Sequence, residues 1–117
     1  MIKLNERAVA RAAALIRRGR WVRDEQPDWS EHRPGETAER MYIERHGWRA
    51  YADWHLALDL EADEQTAGHY KLPFGDFVNV HRCGLLAAAG RADQYKAPDI
   101  EAAARELQRL LESTHAL

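Results

Sequence analysis

A single cysteine, Cys83, leaves no partner for an internal disulfide and excludes a multi-cysteine zinc module. Long apolar runs are missing too: no stretch approaches the ~20 residues of a membrane-spanning helix. The segment Met1–Arg7 has no uninterrupted apolar core, so no signal peptide is expected. The sequence carries no Gly-x-Ser-x-Gly and no phosphate-binding glycine loop, nor any internal repeat or low-complexity tract. These absences imply a cytosolic, soluble chain for which no cofactor and no catalytic residue set is expected.

What is present is ordinary globular material. Apolar residues make up 45% and charged residues 31%, which argues against wholesale disorder. At 117 residues, folding should leave roughly 6,500 Å² exposed of about 19,000 Å² in the extended chain. That suffices for one core, so a single domain is expected over residues 1–117.

Charge is more informative in its distribution than in its net value of −2. Residues 1–23 carry seven basic side chains against Glu6 alone, a local balance of +6, whereas residues 24–67 sum to −8. Either the basic and acidic parts answer each other inside the fold, or the basic part answers an outside partner.

Asn5 suits an N-cap, and the spacing predicts a helix from Glu6 to about Arg18 with Gly19 as its stop, an amphipathic basic unit within 1–19. Ala8, Val9, Ala12, Ala13, Leu15 and Ile16 share one arc, and Lys3, Arg7, Arg11 and Arg18 the opposite one. Residues 24–35 hold two prolines and no periodicity, which reads as a loop pinned by Trp29. A second helix is expected from Glu36 to Arg45, with Ala38, Met41 and Tyr42 inward and Gly47 as its end. Trp54, Leu56, Leu58 and Leu60 alternate, the period of a strand with one buried face, whereas on a helix they would scatter. A helical turn is expected near 64–68 and a short extended piece from Tyr70. Asp76 then caps a helix over 77–95, apolar on all sides and therefore central, in which Gly84, Ala88 and Gly90 admit close neighbours. Pro98 opens a last helix over 98–113, with a stripe of Ile100, Ala103, Ala104, Leu107, Leu110 and Leu111. The fold class expected is mainly α: a compact domain of about four helices with one small two-stranded β element.

Tyr51-x-x-Trp54-His55-Leu56, Glu64-x-Thr66, Tyr70-x-Leu72-Pro73-x-Gly75-Asp76-Phe77, Val80-His81-Arg82 and Ile100-Glu101-x-Ala103-Ala104 resemble a family of short uncharacterised bacterial proteins across about half of the chain. The resemblance implies a bacterial, cytosolic, free-standing protein. It implies no mechanism.

Several arginines on one helix face, with Arg20 and Trp21 just beyond, form a candidate interaction surface: Arg7, Arg11, Arg18, Arg20 and Trp21. The isoelectric point near 6.3 favours a protein partner, or a second copy, over nucleic acid. Asp76, His81 and Arg82 at the start of the expected central helix form a second candidate, a polar pocket walled by Trp54, His55 and Tyr70. A cap and an ion pair with the acidic segment would equally explain Asp76 and Arg82. No metal site is expected. On a helix His81 and Cys83 would lie about 200° apart, and Cys83 reads as a small inert hydrophobe. The leading expectation is a non-catalytic interaction module; the alternative is a small-molecule-binding or enzymatic domain.

Overall fold

The computed structural model describes residues 1–115, the side chain of residue 115 excepted. In chain order the elements are β1 (Ile2–Leu4), α1 (Glu6–Arg17), β2 (Trp21–Val22), α2 (Trp29–His32), α3 (Glu36–Ala52), β3 (His55–Asp59), β4 (Tyr70–Pro73), β5 (Val80–His81), α4 (Arg82–Gln94) and α5 (Pro98–His115). The protein is mainly α with a small β component. A radius of gyration of 13.2 Å matches the ~13 Å of a single compact domain of this length.

The β component is larger than the expected two-stranded element. β3 is the centre of an antiparallel sheet ordered β1-β3-β4, with Leu4 opposite Ala57 and Ala57 opposite Lys71. The three residues of β1 precede the first helix and are too few for a period to register. A separate two-stranded parallel sheet joins β2 to β5, Trp21 facing Val80 and Val22 facing His81. This pairing brings the chain just after α1 against the start of α4.

The core lies between the sheet and three helices. α1 contributes Ala8, Ala12, Leu15 and Ile16; α4 contributes Leu85, Ala88, Ala89 and Ala92; α5 contributes Ile100, Ala104, Leu107 and Leu111. The α1 and α5 stripes are thus those read from the spacing, and each fully buried Leu or Ile contributes about 1.5–3 kcal/mol of transfer free energy.

Several boundaries differ from expectation, each for a local reason. The expected 77–95 helix begins only at Arg82, because the chain first turns at 76–79 and then pairs as β5. Asp76 caps that turn: its Oδ1 accepts the N–H groups of Val78 and Asn79 at 2.9 and 2.7 Å. Phe77 adopts φ 73° there and Val78 is exposed. Asn5 precedes α1, but its amide donates instead to the carbonyls of Ala52 and His55, tying α1 to the end of α3 and the start of β3. Gly47, expected to end its helix, instead kinks α3 at φ 84°, and α3 continues to Ala52. On that helix Ala38 and Met41 face outward and Tyr42 is half-buried. In β3 the alternation fails at its far end: Leu58 is half-buried and Leu60 exposed, while His55 and Ala57 on the opposite parity are buried. The 24–35 loop holds a 3₁₀ turn (Gln26–Asp28) and α2, and Trp29 is buried as expected. Gly84 does admit a close neighbour, the backbone of Phe74, but Gly90 faces open space.

Candidate functional site

The basic face of α1 is the first candidate. Arg7 is committed internally: its guanidinium donates to Asp53 Oδ1 at 2.8 Å. Arg11, Arg18 and Arg20 are exposed and, among the described residues, ion-paired with no acid. The acidic middle segment therefore neutralises Arg7 through Asp53 but not Arg11, Arg18 or Arg20. The same three arginines and Leu15 line a shallow basin of about 300 Å³ with Trp54, Phe77 and Val78. Trp21, expected as an exposed anchor, is half-buried in β2 and packs against the core.

The second candidate is a buried polar cluster where three segments meet: the strand end after β2, α2, and the β5–α4 junction. Asp24 is its hub. Asp24 Oδ1 accepts the backbone N–H of Cys83 at 2.8 Å, and Oδ2 lies 2.7 Å from Nδ1 of both His32 and His81. His81 Nε2 is 2.8 Å from Asp76 Oδ2, so its ring is held between two carboxylates. Cys83 Sγ stands 3.9 Å from His32 Nδ1. Asp24, His81 and Cys83 are buried, whereas the His32 side chain is 39% exposed.

Burial works against the charged form of Asp24, but the Cys83 N–H and the two imidazoles hold its carboxyl down at about 2. Burial likewise works against a charged His81, but its hydrogen bonds to Asp76 and then Asp24 raise its pKa above the ordinary histidine value. Burial first, and Asp24 next, push the Cys83 thiol well above its usual range. A thiol so placed is a poor nucleophile, because the thiolate is the reactive form.

The expected pocket of Asp76, His81, Arg82, Trp54, His55 and Tyr70 is only partly assembled. Asp76 and His81 meet. Arg82 instead reaches the Asp24 carbonyl at 3.1 Å and Glu112 at 3.0 Å, a structural tie. His55 lies elsewhere, buried beneath Tyr51 and Tyr70 with Nδ1 donating to the Tyr51 carbonyl at 2.8 Å. Trp54 belongs to the core and to the arginine basin. The helical phase that would separate His81 from Cys83 does not apply, because His81 is in β5 and only Cys83 lies in α4. Asp24, His32 and Cys83 were not expected in any site. Their only sequence signal is the presence of ligand-type side chains in the expected 24–35 loop and at the start of the expected 77–95 helix.

A third feature is a cavity of about 490 Å³ between β4 and α4. Arg33, Lys71 and Arg91 supply cations to its wall, and Trp29, Tyr70 and Tyr95 supply rings.

No family model, no curated protein and no solved structure matches this chain. Among the described residues, no helix is long and apolar enough to cross a membrane.

Proposed function

We propose that this chain is a non-catalytic binding module that engages an acidic segment of a partner protein through the Arg11, Arg18 and Arg20 face of α1. The observation that carries the reading is the absence, among the described residues, of an acidic partner for these three arginines, which line one basin together with Leu15, Trp54, Phe77 and Val78. Exposed arginines around Trp54, Phe77 and Val78 suit carboxylates flanking an apolar side chain, since arginine and aromatic residues dominate interface hot spots. A net charge of −2 and the acidic 24–67 stretch disfavour a long phosphate backbone as the occupant. A bacterial, cytosolic setting belongs to the same proposal and rests on the sequence resemblance.

The test is fluorescence anisotropy with a labelled peptide of alternating Glu and Phe, set against labelled single- and double-stranded oligonucleotides, each at low and near-physiological salt. Salt-sensitive peptide binding, lost in the Arg11→Glu, Arg18→Glu double variant with an unchanged circular dichroism spectrum, is expected. Equal peptide binding by the double variant, or tighter binding of oligonucleotides with a steep salt slope, overturns the proposal.

The cavity between β4 and α4 favours a second reading, a pocket for a small anion carrying a planar ring. Its lining residues include three cations and no acid. Titration with nucleoside monophosphates should quench Trp29 fluorescence in a manner that Arg33→Ala weakens. A flat titration sinks this reading without touching the first.

A further inference from the structure

Four metal-ligating side chains from three segments converge in the polar cluster. One carboxylate oxygen of Asp24, one ring nitrogen each of His32 and His81, and Sγ of Cys83 all lie within 4.8 Å of one another. We propose that Asp24, His32, His81 and Cys83 form a four-coordinate site for a zinc-type divalent cation. The inference is independent of the arginine face and shares no residue with it.

The argument rests on how each side chain is held. His81 presents Nδ1 to the cluster while Asp76 holds Nε2 at 2.8 Å, the carboxylate–histidine arrangement that orients a metal-ligating imidazole. Asp24 uses Oδ1 on the Cys83 backbone N–H and keeps Oδ2 aimed at the common point. His32 also presents Nδ1 there, and the exposure of its side chain gives an ion a path in. Asp24 and Cys83 are thus placed by one buried hydrogen bond and His81 by its two carboxylate contacts, and His32 closes the site from the solvent side.

The distances suit a small adjustment. Bonds of about 2.0–2.2 Å to N and O and about 2.3 Å to S place tetrahedral ligand atoms roughly 3.3–3.8 Å apart, so the 2.7 Å contacts need to open by less than about 1 Å. The Cys83–His32 separation of 3.9 Å already lies near that range. Thiolate and imidazole ligands select zinc-like ions over magnesium or calcium. With Asp24 and Cys83 as anions and both imidazoles neutral, the ligand charge of −2 cancels that of the cation, so no net charge is buried. Binding releases the Cys83 thiol proton, and the proton shared between His81 and Asp24, to the buffer, while the proton that His32 Nδ1 shares with Asp24 passes to Nε2 of the same ring. Four protein ligands leave no open position, so the site is structural: it fastens the 24–32 stretch to the start of α4.

The test uses the full chain, stripped with a chelator and titrated with Co²⁺ as the probe, followed by zinc competition. One equivalent of Co²⁺ should produce a thiolate-to-cobalt charge-transfer band and tetrahedral visible bands, which zinc then bleaches. Cys83→Ser should abolish the charge-transfer band, and Asp76→Asn should weaken affinity roughly ten- to a hundredfold. No band at one equivalent overturns the proposal, as does a band that Cys83→Ser leaves in place. Should Cys83→Ser fail to fold, His32→Gln carries the test on the exposed side of the cluster. It should weaken Co²⁺ binding at least tenfold, and unchanged affinity overturns the assignment.

Discussion

Asp24 and Cys83 are 59 positions apart, yet the Cys83 backbone N–H donates to Asp24 Oδ1 at 2.8 Å, so one carboxylate completes the first turn of α4. The free N–H groups at a helix start need acceptors, and here the acceptor comes from the strand end that β2–β5 pairing places alongside. Replacing Asp24 with Ala strands that N–H and leaves His81 facing a gap. A loss of about 3–5 kcal/mol is expected, as for breaking a buried charged pair. Urea denaturation of wild type and variant measures it directly; a difference under about 1 kcal/mol would show that the hub holds nothing in place.

Two glycines of α4 should respond oppositely to alanine. A Cβ at Gly84 would stand 2.7 Å from the Phe74 carbonyl oxygen and 2.9 Å from its carbon, both backbone atoms that cannot swing away. At Gly90 an added Cβ meets nothing within 4 Å. Gly84→Ala should therefore destabilise by about 1–3 kcal/mol through overpacking, whereas Gly90→Ala should stabilise by roughly 0.5–1 kcal/mol through helix propensity. Thermal melts of the two variants should move in opposite directions, and a shared direction would contradict the packing at Phe74.

The contrast between these glycines also marks what the sequence could carry. A continuous apolar stripe is a local signal, so α1 and α5 were legible residue by residue, down to Ile16 and Leu111. Parallel pairing of Trp21 with Val80 is not local: two-residue strands have no period, and their partner is 59 residues away. The late start of α4 follows from that pairing, as does the meeting of His81 with Cys83. The cluster was invisible for the same reason, since Asp24 and His32 become neighbours of His81 only after β2 and β5 have joined. The arginine face was legible because a helix displays its own surface. That Arg7 would be drawn off to Asp53 required knowing where the end of α3 lies.

Charge reversal on α1 separates stability from association. Arg11 and Arg18 are exposed and, among the described residues, bonded to no acid. Arg11→Glu and Arg18→Glu should each change stability by no more than about 0.5 kcal/mol. Arg7→Ala, which removes the Asp53 pair, should cost up to about 1 kcal/mol. Denaturation midpoints of the three variants give the ranking; an Arg18→Glu cost above that of Arg7→Ala would reveal an internal role for the basic face.

His55 sets an acid-side slope in stability. Burial lowers its pKa from 6.5 to about 4, the hydrogen bond to the Tyr51 carbonyl opposes that only in part, and Arg33 adds to the lowering. Between those two values the unfolded chain holds a proton on this residue that the folded chain does not. Stability therefore falls as pH drops from about 6.5 towards 4, by up to 1.4 kcal/mol per pH unit from this one group, and by about 3 kcal/mol in all. At pH 7 the effect is small, since most His55 side chains are then unprotonated in both states. Replacement by Gln removes the titrating group while retaining an N–H donor. Urea midpoints at pH 7, 6, 5 and 4.5 should decline more steeply for the wild type than for His55→Gln. Parallel profiles would mean that His55 opens to solvent before it takes up its proton, and that the packing of Tyr51 and Tyr70 over it is looser than their ring contacts of 4.4 and 6.0 Å suggest.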